Sequence, residues 1–134
     1  MDLKVLVVDD DEIFLLLHDC NVTDSGLAPS TLGFEEATKA LEYLDAEHNA
    51  DDYYLILLDI NMPVMNGWQF LDAVEQRPYS DQIFVIIVTS SIDYEDRIKA
   101  QGYSHVIDYI EKPLNIETCE RIRQISLIND IINS

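Results

Sequence analysis

The sequence predicts an α/β protein in which one parallel sheet is covered by helices on both faces. Three observations support this. Runs of aliphatic and β-branched residues recur at Lys4 to Asp9, Tyr54 to Asp59, Ile83 to Thr89 and His105 to Glu111. These runs are continuously apolar, as in strands buried on both faces, whereas half-exposed strands alternate. Segments with helical spacing lie between them, and this alternation is the mark of a parallel sheet with right-handed crossovers.

In chain order, the first strand runs from Lys4 to Asp9. A helix follows in which Ile13, Leu16, Leu17 and Cys20 hold the i, i+3, i+4, i+7 spacing of a core-facing stripe. Ser30 to Phe34 carries Gly33 and fewer aliphatics, and reads as an edge strand. Ala37, Ala40, Leu41 and Leu44 mark the second helix. Tyr54 to Asp59 is the third strand, and Gly67, Phe70, Leu71 and Val74 mark the third helix. Ile83 to Thr89 is the fourth strand. The fourth helix, Tyr94 to Gln101, is short and weakly apolar, with Gly102 as its stop. After the fifth strand, Ile116 to Ile132 contains no glycine or proline and reads as one long helix, giving five helices in all. Only Asn49 to Tyr53 and Arg77 to Asp81 look like polar connecting loops. The expectation is one domain, residues 1–134, with no fused output domain.

The chain has 134 residues, 48% of them hydrophobic, and 26 acidic against 8 basic side chains give a net charge of −18. Such a charge repels phosphate backbones and anionic membrane surfaces, so nucleic acid and membrane are not expected partners. Arg97, Lys99, Arg121 and Arg123 lie in the last third, either as a less acidic face for a partner or as ordinary solvated helix faces. Cys20 and Cys119 match no metal-ligand spacing and are expected as reduced core or near-core residues. The N-terminus enters a strand pattern directly, without a basic and apolar leader, and the expected location is cytoplasmic.

In a parallel α/β sheet the ligand site lies beyond the carboxyl ends of the strands. Those ends carry Asp9 and Asp10, Asp59, Thr89 and Lys112. Three acids brought together raise one another's pKa unless a cation sits among them, and a divalent ion is the natural answer.

In four pieces the chain resembles the receiver domain of two-component response regulators: Val7-Val8-Asp9-Asp10, Asp59-x-Asn61-Met62-Pro63-x-x-x-Gly67, Val88-Thr89-Ser90 and Lys112-Pro113-Leu114. The resemblance implies a doubly wound, flavodoxin-like fold with strand order 2-1-3-4-5. It makes Asp59 the phosphoacceptor, taking a phosphoryl group from phosphohistidine on a histidine kinase or histidine phosphotransfer protein. It also implies Mg²⁺ held by Asp10, Asp59 and the Asn61 carbonyl, with Asp9 acting mainly through bound water. Oxygen ligands and retained waters suit that small ion. Thr89 and Lys112 fall on the hydroxyl and cationic positions, Tyr109 on the switch aromatic, and Lys112-Pro113 on a cis bond. Output is then expected through the fourth helix, last strand and last helix, and the chain is expected to modify only itself, not to act as an enzyme. Ser90, Ser91 and Asn61 flank the phosphoryl position, where the family tunes hydrolysis.

Each residue also has a plainer reading. The acids after the first strand can cap a helix, as Asp11 is expected to do with Glu12 adding first-turn charge. Thr89 can be a satisfied strand-end hydroxyl, Lys112 a solvated charge and Tyr109 core packing. His18, His48 and His105 share no spacing and read as structural or surface residues. Leu127, Ile128, Ile131 and Ile132 wrap more than one face of the last helix. They are either an exposed patch for a homodimer or docking partner, or a buried terminus. Two other functions compete with the switch. A small-molecule phosphohydrolase using Asp59 would need a second acid where Asn61 stands, and a receiver-like module that only binds would not need the full acid, hydroxyl and lysine set.

Overall fold

The computed structural model describes residues 2–90 and 93–133; Ser91 lies outside them. Five parallel strands, β1 (Leu3–Val8), β2 (Thr31–Phe34), β3 (Tyr53–Leu58), β4 (Ile83–Thr89) and β5 (Val106–Glu111), form one sheet in the order β2-β1-β3-β4-β5. The helices are α1 (Glu12–Asp24), α2 (Ala37–Glu47), α3 (Gly67–Glu75), α4 (Tyr94–Ala100), α5 (Ile116–Arg123) and α6 (Ser126–Ile132). A 3₁₀ turn, Ser80–Gln82, precedes β4.

Successive residues of a strand point to opposite faces, and in the three inner strands β1, β3 and β4 both faces are dry, whereas the edge strands β2 and β5 are only partly covered. Val5, Val7, Leu55, Leu57, Ile86 and Val88 share a core with Cys119, Ile122 and Ile128 of α5 and α6 and with Val22 of α1. Leu6, Val8, Ile56, Leu58, Val85 and Ile87 pack in the other core, with the buried faces of α2 and α3. Fully burying a side chain such as Phe70 or Leu71 stabilises the fold by about 1.5–3 kcal/mol. The register pairs Val8 with both Phe34 and Leu58, and Leu58 with Ile87. The carboxyl ends of the strands therefore finish level, and whatever follows them meets at one rim. β5 slips by one residue against β4 between Val85 and Ile86, a bulge that leaves Ile107 unpaired in the ladder.

Three expectations need correction. The stripe Ile13, Leu16, Leu17 and Cys20 does not face the sheet: Ile13 is 74% exposed and Leu16 67%, and Leu17 and Cys20 are also exposed. The buried side of α1 is instead His18 and Val22, with Phe14, Leu15 and Asn21 half-buried. Apolar residues surround this helix, so two phases of the same period were available, and the one carrying a histidine is inside. Cys20 is accordingly a surface thiol, whereas Cys119 is buried and its thiol is pushed up to about 11 by that burial.

The third correction divides the expected last helix in two and brings the total among the described residues to six. Ile125 is extended, at φ −61° and ψ 125°, between the end of α5 and the start of α6. The reorientation buries Ile128 and Ile131 and packs Ile125 and Ile132 against the core, leaving Leu127 exposed. The gain in buried apolar surface outweighs the interrupted hydrogen bonds, so a burial term breaks a helix that contains no breaker. The apolar residues of this terminus are thus mostly covered.

Candidate functional site

Asp9 stands one residue beyond β1 and Asp59 one beyond β3, each tied to its neighbour by backbone. The Asp9 N–H donates to the Phe34 carbonyl at 3.0 Å and the Asp59 N–H to that of Val8 at 3.0 Å. Both carboxylates are nearly buried, while Asp10 is exposed at the mouth. One oxygen from each of Asp9, Asp10 and Asp59 lies within 4.8 Å of the other two. Asp11 is the N-cap of α1, accepting from the Ile13 N–H at 2.9 Å, and stays outside the cluster.

Lys112, just past β5, sends its ammonium into this group. Nζ lies 2.7 Å from Asp9 Oδ2 and 3.2 Å from Asp59 Oδ2, with the side chain only 7% exposed. It also sits 4.3 Å above the Phe14 ring, a cation–π contact worth about 0.5–2 kcal/mol. The Lys112 N–H donates to the Thr89 carbonyl at 2.9 Å, so lysine and threonine reach the rim as hydrogen-bonded neighbours. Thr89 is fully buried. The Lys112-Pro113 peptide is cis.

The electrostatics follow from this crowding. Burial raises the Asp9 pKa, opposed by its hydrogen bond from Lys112. Burial works against the Lys112 charge too, but the bond to Asp9 and the negative charges of Asp59 and Asp9 outweigh it and hold its pKa above the ordinary value. Three carboxylates against one ammonium leave two negative charges at the rim, the complement of a divalent cation. Asp9 and Asp59 each accept from a backbone N–H at one oxygen and from Lys112 at the other. A carboxylate oxygen has a second lone pair, so with exposed Asp10 they supply the hard oxygen donors such an ion requires and fit a metal of the Mg²⁺ class.

The turn after Asp59 holds the acid in place. Asp59 Oδ1 accepts from the Asn61 N–H at 3.2 Å. Gly67 then brings the start of α3 onto the strand end, its N–H donating to the Ile60 carbonyl at 3.1 Å. A Cβ at Gly67 would lie 2.7 Å from Ile60 Cα and 2.8 Å from the Asp59 carbonyl oxygen, which only glycine avoids. A reciprocal capping box between Asn66 and Gln69, both bonds 2.9 Å, fixes the same corner. Between them the chain turns sharply at Val64, with φ at 67° and the Met65 N–H donating to the Pro63 carbonyl at 2.8 Å. A β-branched residue at positive φ is strained.

Tyr109 lies inward on β5 among the residues of the α2–α3 core cluster, with the Arg97 guanidinium 4.9 Å from its ring centre. His18 and Asn21 were not among the expected site residues, yet both reach the turn that carries Lys112: the Leu114 N–H donates to His18 Nε2 at 3.2 Å, and Asn21 Nδ2 donates to the Leu114 carbonyl at 2.7 Å. Their spacing of three from each other, and of four between Phe14 and His18, was the available signal.

The family model of the response regulator receiver domain matches residues 5–124. The chain belongs to the response regulator receiver family. It is 33% identical over 125 residues to the two-component response regulator ORR13 of Oryza sativa subsp. japonica, covering 88% of this chain and 93% of that one. It is 29% identical over 123 residues to the two-component response regulator ARR11 of Arabidopsis thaliana, covering 91% of this chain but only 22% of that much longer protein. Among solved structures, a response regulator receiver protein from Dyadobacter fermentans DSM 18053 superposes with a TM-score of 0.80 at 27% identity, over 91% of this chain and 95% of that one. Receiver domains of two-component response regulators are phosphorylation-dependent modules that interact with histidine kinases or phosphotransfer proteins, and the doubly wound order seen here is theirs. No described helix is long and apolar enough to cross a membrane.

Proposed function

We propose that the chain is a Mg²⁺-dependent phosphoaspartate switch whose acceptor is Asp59, loaded from a phosphohistidine on a kinase or phosphotransfer protein. The observation that carries this reading is the convergence of Asp9, Asp10, Asp59 and Lys112, from three strand ends, on one rim. Asp59 needs no general base, since a carboxylate is ionised at neutral pH. One of its oxygens forms the new O–P bond as the N–P bond of the donor breaks, and the departing imidazole nitrogen keeps the bonding pair and is protonated. Bound by Asp10, Asp59 and the Asn61 carbonyl, with Asp9 acting mainly through water, Mg²⁺ would screen the charge on the transferring oxygens. Lys112 already stands beside the acceptor oxygen and takes a phosphoryl oxygen in place of one carboxylate, while the Thr89 hydroxyl takes another. Positioning and charge neutralisation, not proton transfer, supply the catalysis.

Surfaces on either side of the rim suit the two partners. The outer face of α1, with Ile13, Leu16 and Leu17, flanks the acceptor and offers a donor protein an apolar seat. On the other side α4 exposes Tyr94 and Ile98 beside Tyr109 of β5, which fits the output surface. Rearrangement of Thr89 toward the phosphoryl group, coupled to Tyr109, carries the signal there. The protein acts on itself once per loading, in the cytoplasm, and its charge of −18 keeps it from nucleic acid.

The test is labelling by a small phosphodonor in Mg²⁺. One phosphoryl group per chain on Asp59, absent in Asp59→Asn and after chelation, is expected. Continued turnover of a generic aryl phosphate, or label persisting in Asp59→Asn, would overturn the assignment.

A further inference from the structure

Lys112 has to meet the phosphoryl group from the end of a turn, whose first N–H is held by the Thr89 carbonyl of β4 but whose continuation needs holding as well. The fixing comes from across the molecule. Leu114, two residues on, is fully buried, and both of its backbone polar atoms are held by α1: the N–H by His18 Nε2 at 3.2 Å and the carbonyl by Asn21 Nδ2 at 2.7 Å. The third member of the same face, Phe14, lies under the ammonium itself and packs against His18 with ring centroids 5.6 Å apart and the rings tilted by 37°. We propose that His18 and Asn21 are positioning residues for Lys112, gripping Leu114 so that the ammonium is delivered to the acceptor oxygen of Asp59.

The chemistry of the two side chains matches this task. A buried N–H needs an acceptor and a buried carbonyl a donor, and histidine and asparagine provide one of each at helical spacing. His18 accepts through Nε2, so its proton is on Nδ1 and the ring is neutral, and its burial with Lys112 nearby lowers its pKa to about 4. A charged imidazolium there could not accept the Leu114 N–H and would repel the lysine it supports. The residues thus act on the reaction through geometry: displacement by a fraction of an ångström at Leu114 is passed to Nζ, and small misplacements of a charge-stabilising group are costly.

This inference rests on the switch proposed above, and its test separates the two. Beryllofluoride in Mg²⁺, a mimic of the phosphoryl group, is titrated against the wild type, His18→Leu, His18→Gln, Asn21→Ala, Lys112→Ala and the double variant His18→Leu with Lys112→Ala. His18→Leu and Asn21→Ala should each weaken binding by between about 5- and 100-fold. His18→Gln, whose amide oxygen can replace Nε2, should recover most of the loss. In the Lys112→Ala background His18→Leu should cost nothing further, because the residue it positions is gone. Losses that multiply in the double variant, or wild-type affinity in a folded His18→Leu or Asn21→Ala, would overturn the proposal. Should His18→Leu fail to fold, the half-buried Asn21 carries the same comparison through Asn21→Ala with Lys112→Ala. A wild type that binds no beryllofluoride removes the switch and the grip together, whereas a competent wild type with indifferent grip variants removes only the grip.

Discussion

Replacing Gly67 by alanine adds one carbon where the backbone just beyond β3 already stands. The new Cβ would be 2.7 Å from Ile60 Cα and 2.8 Å from the Asp59 carbonyl oxygen, and neither atom belongs to a flexible side chain that could turn aside. The start of α3 must move off the strand end, stretching the 3.1 Å bond from the Gly67 N–H to the Ile60 carbonyl. Overpacking of this kind costs about 2–3 kcal/mol, toward the upper end of the usual range because the obstacle is main chain. For a chain of this length the unfolding entropy is about 0.28 kcal/mol/K, so the melting temperature should fall by about 7–11 °C. The displaced atoms belong to the proposed acceptor and its neighbour, so labelling by a small phosphodonor should slow as well. Gly33→Ala is the control, since a Cβ there meets only the Leu15 side chain at 3.6 Å. Scanning calorimetry of the three proteins decides the matter. A Gly67→Ala protein melting within about 1 °C of the wild type, with unchanged labelling, would refute the contact argument.

Other expectations can be measured on the same material. Lys112→Met should bind Mg²⁺ about 10- to 100-fold more tightly, because at an effective dielectric of about 40–80 a unit charge one carboxylate away repels a dication by about 1.4–2.8 kcal/mol; equal affinities by calorimetric titration would count against the ammonium as the resident counter-charge. His18 has a folded pKa of about 4 against an ordinary 6.5, so the unfolded chain takes up the extra proton. Stability from this group is complete above pH 6.5 and is lost as pH falls toward 4, about 2 kcal/mol of it by pH 5. Urea unfolding of the wild type and His18→Gln at pH 7 and pH 5 should show their difference changing by that amount, and a constant difference would reject the buried neutral imidazole. Val64→Gly should raise stability by about 0.5–1 kcal/mol, since an 88% exposed side chain at φ 67° gives strain without packing; a loss of that size in the same assay would mean the strain is absent.

The sheet and the strand-end residues could be read from sequence because both rest on short-range signals. A strand buried on two faces has to be apolar throughout, and an acid or lysine that ends such a run is placed at the rim by chain direction alone. The phase of α1 could not be read that way. Ile13, Leu16 and Leu17 have the right period, but so does the face through Phe14, His18 and Val22. The choice between them is made by the Leu114 backbone, 96 residues from His18, which needs a polar partner. The break at Ile125 was hidden for a similar reason: no residue there disfavours helix, and only the room available to Ile128 and Ile131 in the finished core forces the turn. Asp11 was legible as a cap because capping is a local contest between a carboxylate and the next turn of backbone.

Lys112 holds Asp9 and Asp59 at once, so the protein is cross-braced through the atom that the proposed switch would recruit. If Asp59 is the acceptor proposed above, loading it trades one clasp for another of similar kind, and the two conformations should differ by little free energy. Such a balance suits a relay that is read and reset repeatedly. Under that proposal the resting population of active-like molecules is set by how firmly the lysine is shared, and because the three groups are buried it should respond little to ionic strength.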